Sequence, residues 1–422
     1  MENILNFLIK ANKLKEMPRT GWILMEVKNP ETVAEHIFGM AFTAWLLGKK
    51  RNLNIEKLIK ITFTHDLCEV YAGDITPFFY YPRLPKGKEE RKKMLLKWAR
   101  LSKKEKKKIS REKFKREKRA LLKLLKPLHP SLKKEIFSLW LSYEKGFLKE
   151  GKFVRQINRI ETLLQSIDYF GTKDVKTRTN WWEWTEEIVD DPLLLEFLEI
   201  IQNRFYGKTP GHRKNIELEN ILDFIWEIQK LKKMYRKYWL VSGIKNPGTV
   251  AGHIFSVVLM NWLLGSEKKK LNMEKLFKMA LCHELSAVYT GDTIPYLQRL
   301  PKDKKKRKEI LKKWPRLSKK EKMRRFLREY KEEKRALGKL TLKLDKRLKK
   351  EIVQCWDEYR KAKSPEALFL NQVNSLAVLL QGLQYQKKYK GYLAVPLWEW
   401  AFEKCDDPVT LEFMKELHRK FR

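Results

Sequence analysis

Cysteine is scarce in this chain. Cys68, Cys282, Cys355 and Cys405 form no CxxC pair and no framework of close spacings, which excludes a disulfide scaffold or zinc ribbon and points to a reducing compartment. Glycine and proline are also few, 18 and 16 among 422 residues, so the chain is neither loop-dominated nor of low complexity. No apolar run reaches the roughly 18 residues of a membrane helix, and the opening MENILNFLIKANKLKEMPRT lacks the order of a signal peptide. The expectation is a soluble, cytoplasmic protein with no membrane partner. Acids are in deficit too: 52 Asp/Glu face 92 Lys/Arg, a formal net charge of +40. Such a charge attracts nucleic acid, nucleotide or an anionic surface without choosing among them.

What is present is mostly present twice. RTGWILMEVKNPETVAEHIF (19–38) answers RKYWLVSGIKNPGTVAGHIF (236–255), THDLCEVYAGDITP answers CHELSAVYTGDTIP, and RQINRIETLLQ answers NQVNSLAVLLQ, always at an offset of 216 to 218. A repeat of that length is a duplicated domain and not a short solenoid unit. The expected boundaries are 1–207 and 208–422, with the Gly- and Pro-containing FYGKTPGHRKN at 205–215 as the joint. Each half is long enough to bury its own core.

Apolar residues recur at helical spacing. Ile37, Met40, Ala41, Ala44 and Leu47 mark one face, NIEKLIKITFTHDL continues the rhythm, and the NP and DDP pairs read as helix starts. Strand-like alternation is nearly absent, so both halves are expected to be all-α.

Four of the seven histidines, His36, His65, His253 and His283, fall at equivalent places in the two copies. An isolated histidine on an apolar helix is ordinarily a core residue. Here two segments each offer one, and an acid follows the second directly. Imidazole with carboxylate suits a divalent transition metal, and an incomplete protein shell suits hydrolysis better than structural support. On a continuous helix Glu69 lies four residues after His65 and three after Asp66, so the three share a face. Asp74 follows in a GD turn, a further carboxylate for proton transfer.

His36, His65-Asp66, Glu69 and Asp74, preceded by RTGW and NPETVAEH, resemble the HD-domain phosphohydrolases and, within them, the 5′-deoxynucleotidase branch. The resemblance spans about residues 5–200 and recurs more faintly over 220–420. It implies two tandem all-helical HD domains that pack on each other as a family homodimer does. It also implies one divalent metal (Mn, Co, Mg, Fe or Zn) and a nucleoside 5′-monophosphate or other phosphate-ester substrate. By that resemblance His36, His65 and Asp66 are ligands, Glu69 and Asp74 handle protons or orient water, and Arg19 and Trp22 contact the nucleotide. Where the family's late helix carries Asp, this chain has Asn158, a neutral and weaker ligand.

The second copy reads as degenerate. His253, His283, Asp292 and Asn374 persist, but the HD pair becomes His283-Glu284 and Glu69 is answered by Ala287. Activity is therefore expected in the first copy alone. Each copy also carries a basic insert: residues 86–126 hold 20 Lys/Arg against 5 Glu, and residues 302–343 hold 20 against 6 acids. Their punctuating apolar residues suggest long helices with one solvated face. They support the rival reading, a catalytically silent tandem scaffold that grips nucleic acid or ribonucleoprotein through phosphates. WWEW (181–184) and LWEW (397–400) read as closing the core, and His129, His212 and His418 as surface residues.

Overall fold

The computed structural model describes residues 1–75, 87, 89–90, 102–171, 175–207, 215–268, 270–294, 301, 303–312 and 315–422. Most of the expected joint, His212 and the start of the first basic insert lie outside them. Among the described residues every regular element is helical, and β-pairing is confined to the single bridges Pro18–Thr32 and Tyr235–Thr249. In chain order the first copy contributes α1 (Glu2–Ala11), α2 (Thr20–Leu24), α3 (Val33–Lys50), α4 (Ile55–Thr64), α5 (Glu69–Ala72), α6 (Lys103–Leu125), α7 (Pro130–Lys145), α8 (Lys149–Phe170), α9 (Val175–Glu186) and α10 (Pro192–Tyr206). The second contributes α11 (Ile216–Ile228), α12 (Lys230–Lys233), α13 (Lys237–Val241), α14 (Val250–Gly265), α15 (Met273–Cys282), α16 (Ala287–Thr290), α17 (Lys304–Leu311), α18 (Lys319–Leu340), α19 (Lys346–Lys361), α20 (Pro365–Lys388), α21 (Val395–Lys404) and α22 (Pro408–Phe421).

Helix starts follow local chemistry. Asp191 and Asp407 cap α10 and α22 with proline in the first turn, as the DDP pairs suggested. The NP pair does not open α3. Asn29 adopts a left-handed φ of 51°, and the helix begins after Thr32, whose side chain and that of Glu35 form a reciprocal capping box. A residue before proline is steered away from helical geometry, so the start moves to the next capable cap.

Helix α3 is buried on every side from Val33 to Gly48, the signature of a central helix. It packs against α4 and α8, and α7 covers those two. The basic helix α6 is exposed over most of its length and buries Glu117, Ala120, Leu121, Leu124 and Leu125 near its C-terminal end, where it packs on α5 and α7. Helix α18 repeats this with Glu333, Ala336, Leu337 and Leu340. No helix among the described residues is long and apolar enough to cross a membrane.

The compact units break at other points than the repeat does: one comprises residues 9–226, the other residues 1–8 with 227–422. Within the first, Phe224 of α11 packs on Phe42 with ring centroids 6.1 Å apart. Within the second, Glu2 of α1 pairs with Arg419 at 2.6 Å. Residues 1–8 thus group with the second repeat and residues 216–226 with the first.

Candidate metal centre

The first copy brings together side chains from three helices. Atoms of His36, His65 and Asp66 lie within 4.8 Å of one another, and so do atoms of Glu31, His36 and Glu161. His36 sits in the first turns of α3, fully buried, and its Nδ1 is hydrogen-bonded to Glu161 of α8. Burial, reinforced by the charge of Arg19, lowers the His36 pKa well below the usual range, so the ring is neutral and its proton sits on Nδ1, facing the carboxylate. His65 caps the end of α4, and its Nδ1 is 2.7 Å from the carbonyl of Thr62. A carbonyl only accepts, so that nitrogen carries the proton as well. Both Nε2 atoms are then lone pairs, buried and without a hydrogen-bond partner.

His65 Nε2 also lies 3.0 Å from Asp66 Oδ2. Burial would raise Asp66, but its contact with His65 and the charge of Arg19 outweigh that and hold the carboxyl below the ordinary range. Two imidazoles with one carboxylate are the donor set a borderline divalent ion takes. The residues fit a metal.

Residues 65–68 form a turn and not the continuous helix expected, closed by i→i+3 bonds from Leu67 to Thr64 and from Glu69 to Asp66. Glu69 is nevertheless buried beside the cluster, with Oε2 unpartnered. Burial, then the charges of Asp66 and Asp74, push its pKa well above the usual carboxylate range. The turn at Gly73, with φ 77°, ends α5 and delivers Asp74, whose Oδ2 accepts from the Thr20 amide at 2.6 Å. Burial raises Asp74 while Arg19 opposes it. Arg19 itself reaches Thr162 at 3.5 Å and Glu31 at 3.7 Å.

Two expected site residues, Trp22 and Asn158, are held by protein partners. Trp22 is 1% exposed, its indole N–H donated to Glu31 at 3.0 Å and its ring 4.9 Å from that of Trp181, so it presents no open face. Asn158 donates from Nδ2 to the Tyr143 hydroxyl at 2.7 Å, and its Oδ1 lies 3.5 Å from Thr162 Oγ1. The Tyr143 ring in turn lies 5.0 Å from that of His65.

The second copy has different wiring. His283 Nδ1 again faces a carbonyl, that of Ala280, but its Nε2 is 3.3 Å from His253 Nε2, so His253 donates and consumes the lone pair. Arg236 Nη1 lies 2.7 Å from Glu284 Oε1 and 3.2 Å from Asp292 Oδ1. Burial would raise Glu284, but Arg236 outweighs it and holds the carboxyl below its usual range. Burial raises Asp292, against Arg236. Atoms of His253, His283 and Glu284 still converge within 4.8 Å, though their polar capacity is spent on one another and on Arg236. Asn374 donates to Tyr359 at 2.8 Å, as Asn158 does to Tyr143.

Glu31 and Glu161 were missed from the sequence, yet a signal was there. Gly248 and Ala377 stand at their positions in the second copy, just as Ala287 answers Glu69. Acids of one repeat that turn neutral in the other mark the functional cluster. His129 is exposed and caps α7, and His418 is exposed on α22. The four cysteines are buried and unpaired.

A protein-family profile describing the HD domain matches residues 11–188 and again 228–399. A Xenopus laevis protein, 5′-deoxynucleotidase HDDC2, is 30% identical over 226 residues, covering 54% of this chain and 87% of its own. The Bos taurus protein of that name is 33% identical over 167 residues, covering 40% of this chain and 68% of its own. The Schizosaccharomyces pombe 5′-deoxynucleotidase hdd1 is 30% identical over 208 residues, 48% of this chain and 90% of its own. Among solved structures, a conserved hypothetical protein from Pyrococcus furiosus aligns with a TM-score of 0.34 at 26% identity, covering 47% of this chain and 98% of its own. The chain belongs to the HD-domain family, in its 5′-deoxynucleotidase-like branch, and carries that domain twice.

Proposed function

We propose that the chain is a metal-dependent phosphohydrolase acting on nucleoside 5′-monophosphates, with its activity in the first copy. The observation that carries this is the pair of partnerless imidazole nitrogens on His36 and His65, converging with Asp66 on one point. When bound there, a divalent ion supplies Lewis acidity and a water of lowered pKa. His36, His65 and Asp66 would hold it. Glu69, whose carboxyl burial pushes up, is the acid this reading assigns to the leaving oxygen, and Asp66, held below the usual range, is its charged partner. Neighbouring carboxyl groups whose environments drive their pKa values apart make an acid and a charged partner from one residue type. Asp74 is locked by the Thr20 amide and backs Arg19, whose forked donors suit a phosphoryl group. Glu161 fixes the ring and tautomer of His36 from behind. The relatives named for 5′-deoxynucleotidase activity support the substrate class.

The test is phosphate release from a panel of deoxynucleoside monophosphates with Mn²⁺, Co²⁺ or Mg²⁺. Release no greater than that of Asp66→Ala removes the reading.

A second reading rests on the exposed lysines and arginines of α6 and α18, which leave each basic helix solvated over most of its length. It makes the chain a nucleic-acid-binding scaffold, and filter binding at two salt concentrations tests it. Phosphate contacts must weaken steeply as salt rises.

A further inference from the structure

On the wall of the first-copy site one cation has no carboxylate to neutralise it. Arg159 of α8 follows Asn158 directly and stands one helical turn before Thr162, the residue that Arg19 contacts. Its guanidinium lies 3.7 Å from the ring centroid of Trp184. Trp184 is in turn 5.6 Å from Trp181, and Trp181 is 4.9 Å from Trp22, so the guanidinium rests on a rigid aromatic ladder. Among the described residues it has no ion pair and no hydrogen bond. The carboxylate that influences it, Glu187, is already bonded to Lys106. Arg19, by contrast, is compensated by Glu31 and Asp74.

The second copy argues against a purely structural role. It keeps the tryptophan, Trp400, at the place of Trp184, but has Ser375 where Arg159 stands and Leu397 where Trp181 stands. A tryptophan that needed a guanidinium lid for packing would need it in both copies. The cation has gone from the copy that lost Glu69, Glu31 and Glu161, and it remains where those acids remain.

We propose that Arg159 is a substrate-binding residue of the first copy, stacked on Trp184 so that its free donors take a phosphoryl oxygen beside Arg19. A guanidinium held flat by an aromatic face keeps its in-plane N–H groups for a ligand, and its two-pronged geometry matches a phosphate. The proposal deepens the nucleotide reading by naming the residue that recognises the dianion, and it rests on that reading only for the identity of the group that carries the phosphate.

The experiment is calorimetric titration of the full chain, after chelation and after loading with Mn²⁺, with three probes: inorganic phosphate, deoxyadenosine 5′-monophosphate, and deoxyadenosine. Arg159→Met is expected to weaken phosphate and the monophosphate about 10-fold or more, as loss of a charged hydrogen bond does, while leaving deoxyadenosine binding and metal content unchanged. Arg159→Lys keeps the charge without the fork, should fall between, and carries the test if the Met variant fails to fold. In turnover the loss should appear in KM more than in kcat. Affinities of both variants within twofold of the parent, or a parent that binds neither phosphate probe, overturn the proposal. A parent that binds phosphate through Arg159 but releases none from nucleotides overturns the nucleotide reading and leaves Arg159 standing.

Discussion

Arg236 donates to Glu284 across 2.7 Å in the second copy, whereas Arg19, at the equivalent position, leaves Asp66 to the histidines. The extra methylene of glutamate carries its carboxylate to the arginine, and the site acquires a covalently tethered cation. The chain should therefore bind one divalent ion and not two. Elemental analysis after metal loading and gel filtration is expected to return about one equivalent, falling to none in His65→Ala and unchanged in His283→Ala. Two equivalents in the parent chain would remove the distinction between the copies.

Glu161 should act through His36. Replacing it with glutamine leaves a hydrogen-bonding side chain but removes the charge that fixes the imidazole. Metal affinity is expected to drop about 10- to 100-fold, the usual cost of losing such a support, with turnover largely restored at saturating metal. Turnover that stays low at saturating metal would place Glu161 in the chemistry itself.

The buried Glu117 and its counterpart Glu333 are each pushed up to about 7 by burial, against the pull of Lys113 and of Arg360. A carboxyl raised in the folded state binds more protons there than in the unfolded chain, where it titrates near 4.5. Its contribution is fully present below that value and is lost as pH rises through about 7. Urea unfolding should show stability falling between pH 5 and pH 8 more steeply in the parent than in Glu117→Gln, by on the order of 3 kcal/mol at most. Parallel pH profiles would show that Glu117 is ionised throughout.

Gly151 permits the close contact of α7 with α8. A Cβ there would meet the Ser142 carbonyl oxygen at 2.3 Å, and backbone cannot step aside. Gly151→Ala is expected to cost about 1–3 kcal/mol as overpacking. Gly338, inside α18, has nothing within 4 Å of its would-be Cβ, and Gly338→Ala should stabilise by about 0.5–1 kcal/mol. Thermal melts of the two variants should move in opposite directions.

Much of this was readable from the chain. Helical period identified α3 and α4, and the aspartates before Pro192 and Pro408 located two helix starts, because capping and amphipathicity act within one or two turns. His36 and His65 were legible because the duplication prints each histidine twice, with an acid, Asp66 or Glu284, after the second. The motif RTGW shows Trp22 but not the Tyr169, Phe170 and Trp181 rings packed against it, which come from distant parts of the chain.

Read alone, the chain already implied helices throughout, a duplicated domain, and a first copy that keeps Glu31, Glu69 and Glu161 where the second has neutral residues. These depend on composition and short-range spacing. It took the folded chain to show that Glu161, 125 residues away, stands behind His36, that Arg236 pairs with Glu284 in the second copy, and that residues 1–8 group with the second repeat. The reason is physical: side chains that meet across helices do so at positions fixed by how apolar faces pack, and no local pattern encodes that distance.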